Sequence, residues 1–171
     1  DVPAVSHEVF IRDTELLWGM LVGGHIEFFV SPDPPRHDLS RMRVESLGTF
    51  ALSLIVRAGH PLLTGSQERF PLLRSSWTGI AIPDEIASRI LGRPSIVEDF
   101  TTLSELATRT DAMWLSAPGA IADEIALGRL VEYMPLNRRV ELTLYSTKRR
   151  SPSPLARKLA AMLRDSAQRL Q

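Results

Sequence analysis

Thr14, Thr102 and Pro118 each open a helix directly after a run that reads as a buried strand, and Ser31, Ser116, Thr101 and Thr102 add hydroxyls beside them. The first N–H groups of a helix have no partner within it and sit at the positive end of its dipole. Several such starts gathered at one sheet edge therefore favour an anion. Taken singly, each of these residues only caps its helix; their convergence is what points to a ligand. Asp84 and Glu85 run against that picture unless they face outward. His60, in "FALSLIVRAGHPLL", is the other conspicuous candidate. Between Gly59 and Pro61 it reads first as a turn residue, with a catalytic role as the lesser alternative.

The remaining chemistry-bearing types form no reactive pattern. The histidines stand at 7, 25, 37 and 60, no two of them three to five residues apart, and there is no cysteine, so no metal-ligand spacing exists and neither a metal nor a cofactor is expected. No Gly-x-Ser-x-Gly elbow, Walker loop or Gly-x-Gly-x-x-Gly appears, so an enzyme is not the expectation. Asp123 and Glu124 read as solvated helix charges. Trp18, Trp77 and Trp114 read as core or lobe-junction residues rather than a base-stacking platform, with Trp77 at a crossover. Arg149-Arg150 is too short a basic run for nucleic acid.

The elements that position these residues follow from periodicity and punctuation. Val5–Ile11 reads as a strand, followed by a helix capped at Asp13/Thr14, with Leu16, Leu17, Met20 and Leu21 on one face and a stop at Gly23-Gly24. Ile26–Val30 reads as a strand buried on both faces, completing one βαβ unit. After Pro32, Pro34 and Pro35, strands are expected over Met42–Leu47 and Phe50–Val56, then a loose stretch to Thr78. A second βα series follows. Its strands are Thr78–Ile82, Ser95–Glu98 and Ala112–Leu115; its helices are Asp84–Leu91, one with the capping-box spacing Thr102-Leu-Ser-Glu105, and one from Pro118 to Gly128. Strands over Leu130–Tyr133 and Val140–Tyr145 then lead to a last helix opened by Ser153-Pro154, with Leu155, Leu159, Met162, Leu163 and Leu170 on one stripe.

At 171 residues and 44% apolar, the chain can bury one substantial core or two linked small ones. Lys+Arg and Asp+Glu are both 20, so no charge excess draws it to a nucleic-acid backbone or an anionic membrane. No apolar run nears the roughly 20 residues of a membrane span, and no basic-then-apolar leader opens the sequence. It reads as soluble and cytoplasmic. Beginning at Asp1-Val-Pro rather than Met, it also reads as a fragment or processed product.

Four stretches, "TELLWGMLVGGHIEFFV", "VESLGTFALSLIVRAGHPLL", "SAPGAIADEIALGRLVEYM" and "STKRRSPSPLARKLAAMLRD", occur in the order seen in the effector-binding domain of LysR-type bacterial transcriptional regulators. The resemblance covers nearly the whole chain. It implies an α/β fold of two Rossmann-like lobes of periplasmic-binding-protein type (type II), joined by two crossover strands. Residues 1–76 with 140–171 would form lobe one, and 77–139 lobe two. It also implies a small organic effector between the lobes, a carboxylate by the helix-start argument, contacted at Thr14, Ser31, Pro32, Pro83, Phe100, Thr101, Thr102, Ser116 and Pro118. His60 then becomes a structural turn.

Three departures from the family pattern stand out. The winged helix-turn-helix and linker helix are absent from this chain, so DNA contact belongs to the intact protein. By the resemblance, the first strand and helix of lobe one are expected to be missing before Asp1. Glu27 stands where the family has Asp, and Ile82–Ile90 is short. The resemblance further implies a homodimer or tetramer of the intact protein, lobe one against lobe two. Two rivals are an extracytoplasmic solute-binding protein of the same architecture, which would carry a leader, and a two-lobed enzyme, which would need a reactive cluster in the cleft.

Overall fold

Two long strands organise the chain. In the computed structural model, which describes residues 8–76, 82 and 84–169 apart from the side chains of Glu85 and Arg169, β2 (Met42–Arg57) and β6 (Leu130–Thr147) run antiparallel along their whole length. Each was expected as two shorter strands. Gly48 looks like a break in sequence, yet it sits at a register shift with φ 139°, where a residue lacking Cβ lets the strand bulge and continue.

The other strands are β1 (Phe28–Ser31), β3 (Leu72–Arg74), β4 (Ser95–Ile96) and β5 (Met113–Ser116). The sheet order is β1-β6-β2-β5-β3-β4. β3 is parallel to both β4 and β5, whereas β1 and β5 are antiparallel to their long neighbours. Helices α1 (Thr14–Gly23), α2 (Asp84–Ala87), α3 (Phe100–Arg109), α4 (Ala122–Ala126) and α5 (Pro154–Arg169) complete the fold.

Packing falls into two regions along β2 and β6. Around β1, α1 covers one face through Leu17, Leu21, Phe29, Met42 and Tyr145, and α5 covers the other through Leu47, Leu144, Ala160 and Ala167. Further along, Leu52, Leu54, Val56, Leu72, Met113 and Leu115 form one face, and Ile55, Leu73, Leu103, Trp114, Ile121 and Leu130 the opposite one. Residues between Leu52 and Leu73 thus pack with β5.

Several expectations are corrected. Residues 8–13 form no strand, and Val9 is 81% exposed, because no strand among the described residues satisfies their backbone groups; residues 5–7 lie outside the described residues. Among the described residues no strand precedes α1, so the described β1 does not close a βαβ unit. It is an edge strand with Phe29 and Ser31 buried and Phe28 and Val30 half-buried. The helix expected over Asp84–Leu91 lasts one turn. The strand β3 was not foreseen, and the helix from Pro118 is a 3₁₀ turn, Pro118–Ile121, leading into α4. α5 packs through Ala156, Ala160 and Ala167, whose small side chains let it lie close, and Met162 and Leu163 are exposed. The strand over 78–81, Trp77, Pro83 and Leu170 lie outside the described residues.

Two expected features are present. α1 ends at Gly24 in the left-handed region, φ 77°, its N–H returning to Leu21 and Met20. His60 is a turn residue. Its Nδ1 accepts from the Leu62 N–H (3.1 Å), so the proton lies on Nε2, which donates to the Asp111 carbonyl (3.0 Å).

Candidate functional site

β1 and β2 point the same way, since both are antiparallel to β6, and β5 is antiparallel to β2. The carboxyl ends of β1 and β5 therefore point toward each other along the β6–β2 pair, β1 flanking β6 and β5 flanking β2. Ser31 ends β1 on a rung with Thr143 and Ser46, and Ser116 ends β5 on a rung with Ser53. Ser46 and Ser53 are seven positions apart, roughly 23 Å at about 3.3 Å per residue and less across the bulges between them. Ligands of open α/β sheets bind beyond such carboxyl edges.

On the β1 side, Thr14 Oγ1 and Ser31 Oγ are 2.7 Å apart, and the buried Ser31 Oγ accepts from Asp33 N (3.0 Å). Pro32, half-buried, starts the next loop. That loop is fastened to α1 by Glu15, which accepts from Arg36 N (3.0 Å) and meets His37 Nε2 (2.8 Å), while the His37 ring stacks on Trp18 at 4.9 Å. The Arg36 amide, then His37, hold the Glu15 carboxyl below its ordinary range.

On the β5 side, Phe100, Thr101 and Thr102 open α3. Phe100 is 45% exposed and sets its ring edge against Trp114 at 5.1 Å. Ser116 is buried, and Ser53 Oγ donates to Glu132 (2.5 Å). Pro118 is half-buried at the first position of its 3₁₀ turn. The residues named from the sequence thus fall into two groups on facing edges, Thr14, Ser31 and Pro32 in one and Phe100–Thr102, Ser116 and Pro118 in the other. Pro83 lies outside the described residues.

At α1 and α3 a carboxylate of the chain already caps the helix tip. Asp13 caps α1, accepting from Leu16 N (3.0 Å). Asp99 caps α3, accepting from both the amide and the hydroxyl of Thr102 (2.7 Å each), and these bonds hold its carboxyl below its ordinary range. The capping box expected at Thr102 is absent, and Glu105 pairs instead with Arg109 one turn on. The chain's own carboxylates occupy amides that had been expected to be spare.

Two described cavities lie elsewhere. One of about 300 Å³ sits between α5 and the sheet against Phe28, Glu45, Ala156 and Arg164; the other, about 390 Å³, is lined by Leu21, Glu27, Thr147 and Arg150. Arg74 is the last residue of β3, a strand that sequence reasoning missed. The short strand Leu72–Arg74 hid in a stretch read as loose, and a basic residue closing an apolar run was the available signal.

Glu15, Asp38, Glu45 and Asp99 all have lowered carboxyl values: Arg36 N leads at Glu15, Ser40 at Asp38, Arg164 at Glu45 and Thr102 at Asp99. A carboxyl more acidic folded than unfolded lends stability that is complete above its unfolded value and is lost as pH falls through its folded one. The melting temperature is accordingly expected to lose the contribution of these four groups below about pH 5. Their exposure keeps the total small. Calorimetry from pH 7 to 3 reads it, and a melting temperature that rises on acidification contradicts it.

A family model described as LysR substrate binding domain matches residues 1–168. The chain belongs to this family. Its type II periplasmic-binding-protein fold has two Rossmann-like lobes joined by two crossover strands, here β2 and β6. Among solved structures, the chain is similar to the full-length LTTR LysG from Corynebacterium glutamicum with bound effector Arg. That match has 17% identity, 91% of this chain and 56% of that one, with TM-score 0.64. Vibrio fischeri DarR in complex with DNA matches at 15% identity over 91% of this chain and 56% of that one, TM-score 0.64. The apo regulatory domain of HypT from Salmonella typhimurium matches at 18% identity over 92% of this chain and 80% of that one, TM-score 0.65. The chain thus spans little more than half the length of LysG and DarR. No curated protein sequence matches it. Among the described residues no helix is long and apolar enough to cross a membrane, and no group of three or more His, Cys, Asp or Glu could hold a metal.

Proposed function

We propose that this chain is the ligand-sensing regulatory domain of a LysR-type bacterial transcriptional regulator, and that a small organic effector binds between the facing carboxyl edges of β1 and β5. The observation that carries this reading is that β1 pairs with β6, β5 pairs with β2, and these two long strands pair with each other, so a ligand touching both groups of residues senses how the halves are disposed. The lobes divide within β2 and β6, with residues 52–74 in the second. LysG with its bound effector Arg and DarR with its DNA supply the family context.

In the intact cytoplasmic protein, a homodimer or tetramer, DNA contact belongs to a helix-turn-helix domain outside this chain. An effector acts only through a difference in affinity for two lobe arrangements, and that difference is what reaches the DNA-binding heads. Thermal denaturation against a metabolite panel tests the reading. At least one compound is expected to raise the midpoint, as ligand binding to the folded state requires; a flat response across the panel counts against a sensor.

A further inference from the structure

Two buried side-chain polar atoms lack a hydrogen-bond partner among the described residues, Arg74 Nε and Glu124 Oε2. Glu124 Oε2 lies 2.5 Å from Arg129 Nε in an ion pair, so its charge is met. Arg74 is in no ion pair among the described residues. A buried guanidinium N–H without an acceptor is costly, and it persists where something else supplies the acceptor.

The position of Arg74 says where that acceptor would come from. Leu72 pairs with Met113 and Leu73 with Trp114, so Arg74 ends β3 abreast of Leu115, one rung from Ser116 at the edge facing Ser31. By strand alternation it shares a face with Leu72, the face that carries Phe50 and Val140 of the crossover strands. The carboxylates that follow β4 are engaged elsewhere: Glu98 accepts from Ser76 N (3.0 Å), and Asp99 holds Thr102. We propose that Arg74 receives an anionic group of the effector, of the carboxylate class, through the side-on edge formed by Nε and one Nη. This rests on the sensor reading above. It restores an anion site that the helix tips do not provide, using a side chain in place of backbone amides.

The test uses acetate, succinate and benzoate at constant ionic strength, with acetamide, succinamide and benzamide as neutral isosteres, on the wild-type chain and on Arg74→Gln, Arg74→Lys and Arg74→Met. At least one carboxylate is expected to raise the wild-type melting midpoint while its amide does not. Arg74→Gln is expected to weaken that carboxylate about 10- to 100-fold, with Arg74→Lys between the two. In buffer alone, Arg74→Met is expected to melt at or above wild type, because it removes a buried N–H that has no acceptor.

Equal stabilisation of wild type and Arg74→Gln overturns the assignment, as does a lower midpoint for Arg74→Met in buffer, which would make Arg74 structural. If the amides shift wild type and the carboxylates do not, the sensor reading stands and Arg74 falls. If neither set shifts it, the Arg74 assignment falls, and the sensor reading is decided by the metabolite panel.

Discussion

Trp114→Ala is expected to lower stability by about 3–5 kcal/mol, as loss of a fully packed indole generally does, and the melting midpoint by roughly 6–20 °C for a chain of this size. Trp114 is 1% exposed at the centre of β5, on a rung with Ile55 of β2 and Leu73 of β3. On its face it meets Leu103 and Ala107 of α3, Ile121 and Leu130, and the edge of Phe100. Alanine would leave a cavity under α3 that the three surrounding strands are too constrained to close. Because Phe100 at the candidate edge leans on this ring, Trp114→Ala should also weaken any ligand that Phe100 touches. Trp114→Phe refills most of the space and serves as the control. A midpoint within about 3 °C of wild type for the alanine variant would mean that this face is loosely packed.

The second large effect is at His60. It is fully buried, both ring nitrogens are engaged, and its ring meets Phe70 at 4.6 Å. His60→Ala leaves the Leu62 amide and the Asp111 carbonyl short of a partner and opens a cavity, at a cost of about 2–4 kcal/mol. His60→Asn is expected to lie between, because a short amide can still cap the turn at Leu62 but does not reach Asp111. His60 follows the end of β2, where Arg57 pairs with Leu130, and it bonds to Asp111, two residues before the amino end of β5. The candidate edge is at the other end of β5. Ligand affinity measured well below the melting temperature should therefore be unchanged in His60→Ala; a large loss would return the histidine to the site.

What could be read from the sequence and what could not follow a physical division. Signals carried by neighbouring residues were legible: the Gly24 stop, the Pro154 start, the apolar run of β5 and the His60 turn. Signals that depend on a distant partner were not. Residues 8–13 look like a strand, but nothing in the described sheet pairs with them, and Gly48 looks like a turn until β6 lies alongside it. α5 shows a leucine stripe, yet it rests on its alanines because close approach to the sheet decides the contact.

At the site, Ser31, Thr102 and Ser116 lie at or just beyond the carboxyl ends of expected strands, whereas Thr14 follows no described strand and meets the edge through Ser31. Which backbone amides remain free was not legible. At α3, both Asp99 and Thr102 satisfy the preference for a short polar cap, and the carboxylate takes the position by accepting from Thr102 twice.

The most direct test of the account is a ¹H–¹⁵N amide titration of the chain with the compound that most raises its melting temperature. The account predicts shifts on both facing edges at once, at Ser31 and Asp33 on one side and at Thr101, Thr102, Ser116 and Gly119 on the other, with residues near His60 unmoved. Shifts confined to one edge, or gathered at the cavity between α5 and the sheet around Glu45 and Ala160, would contradict it.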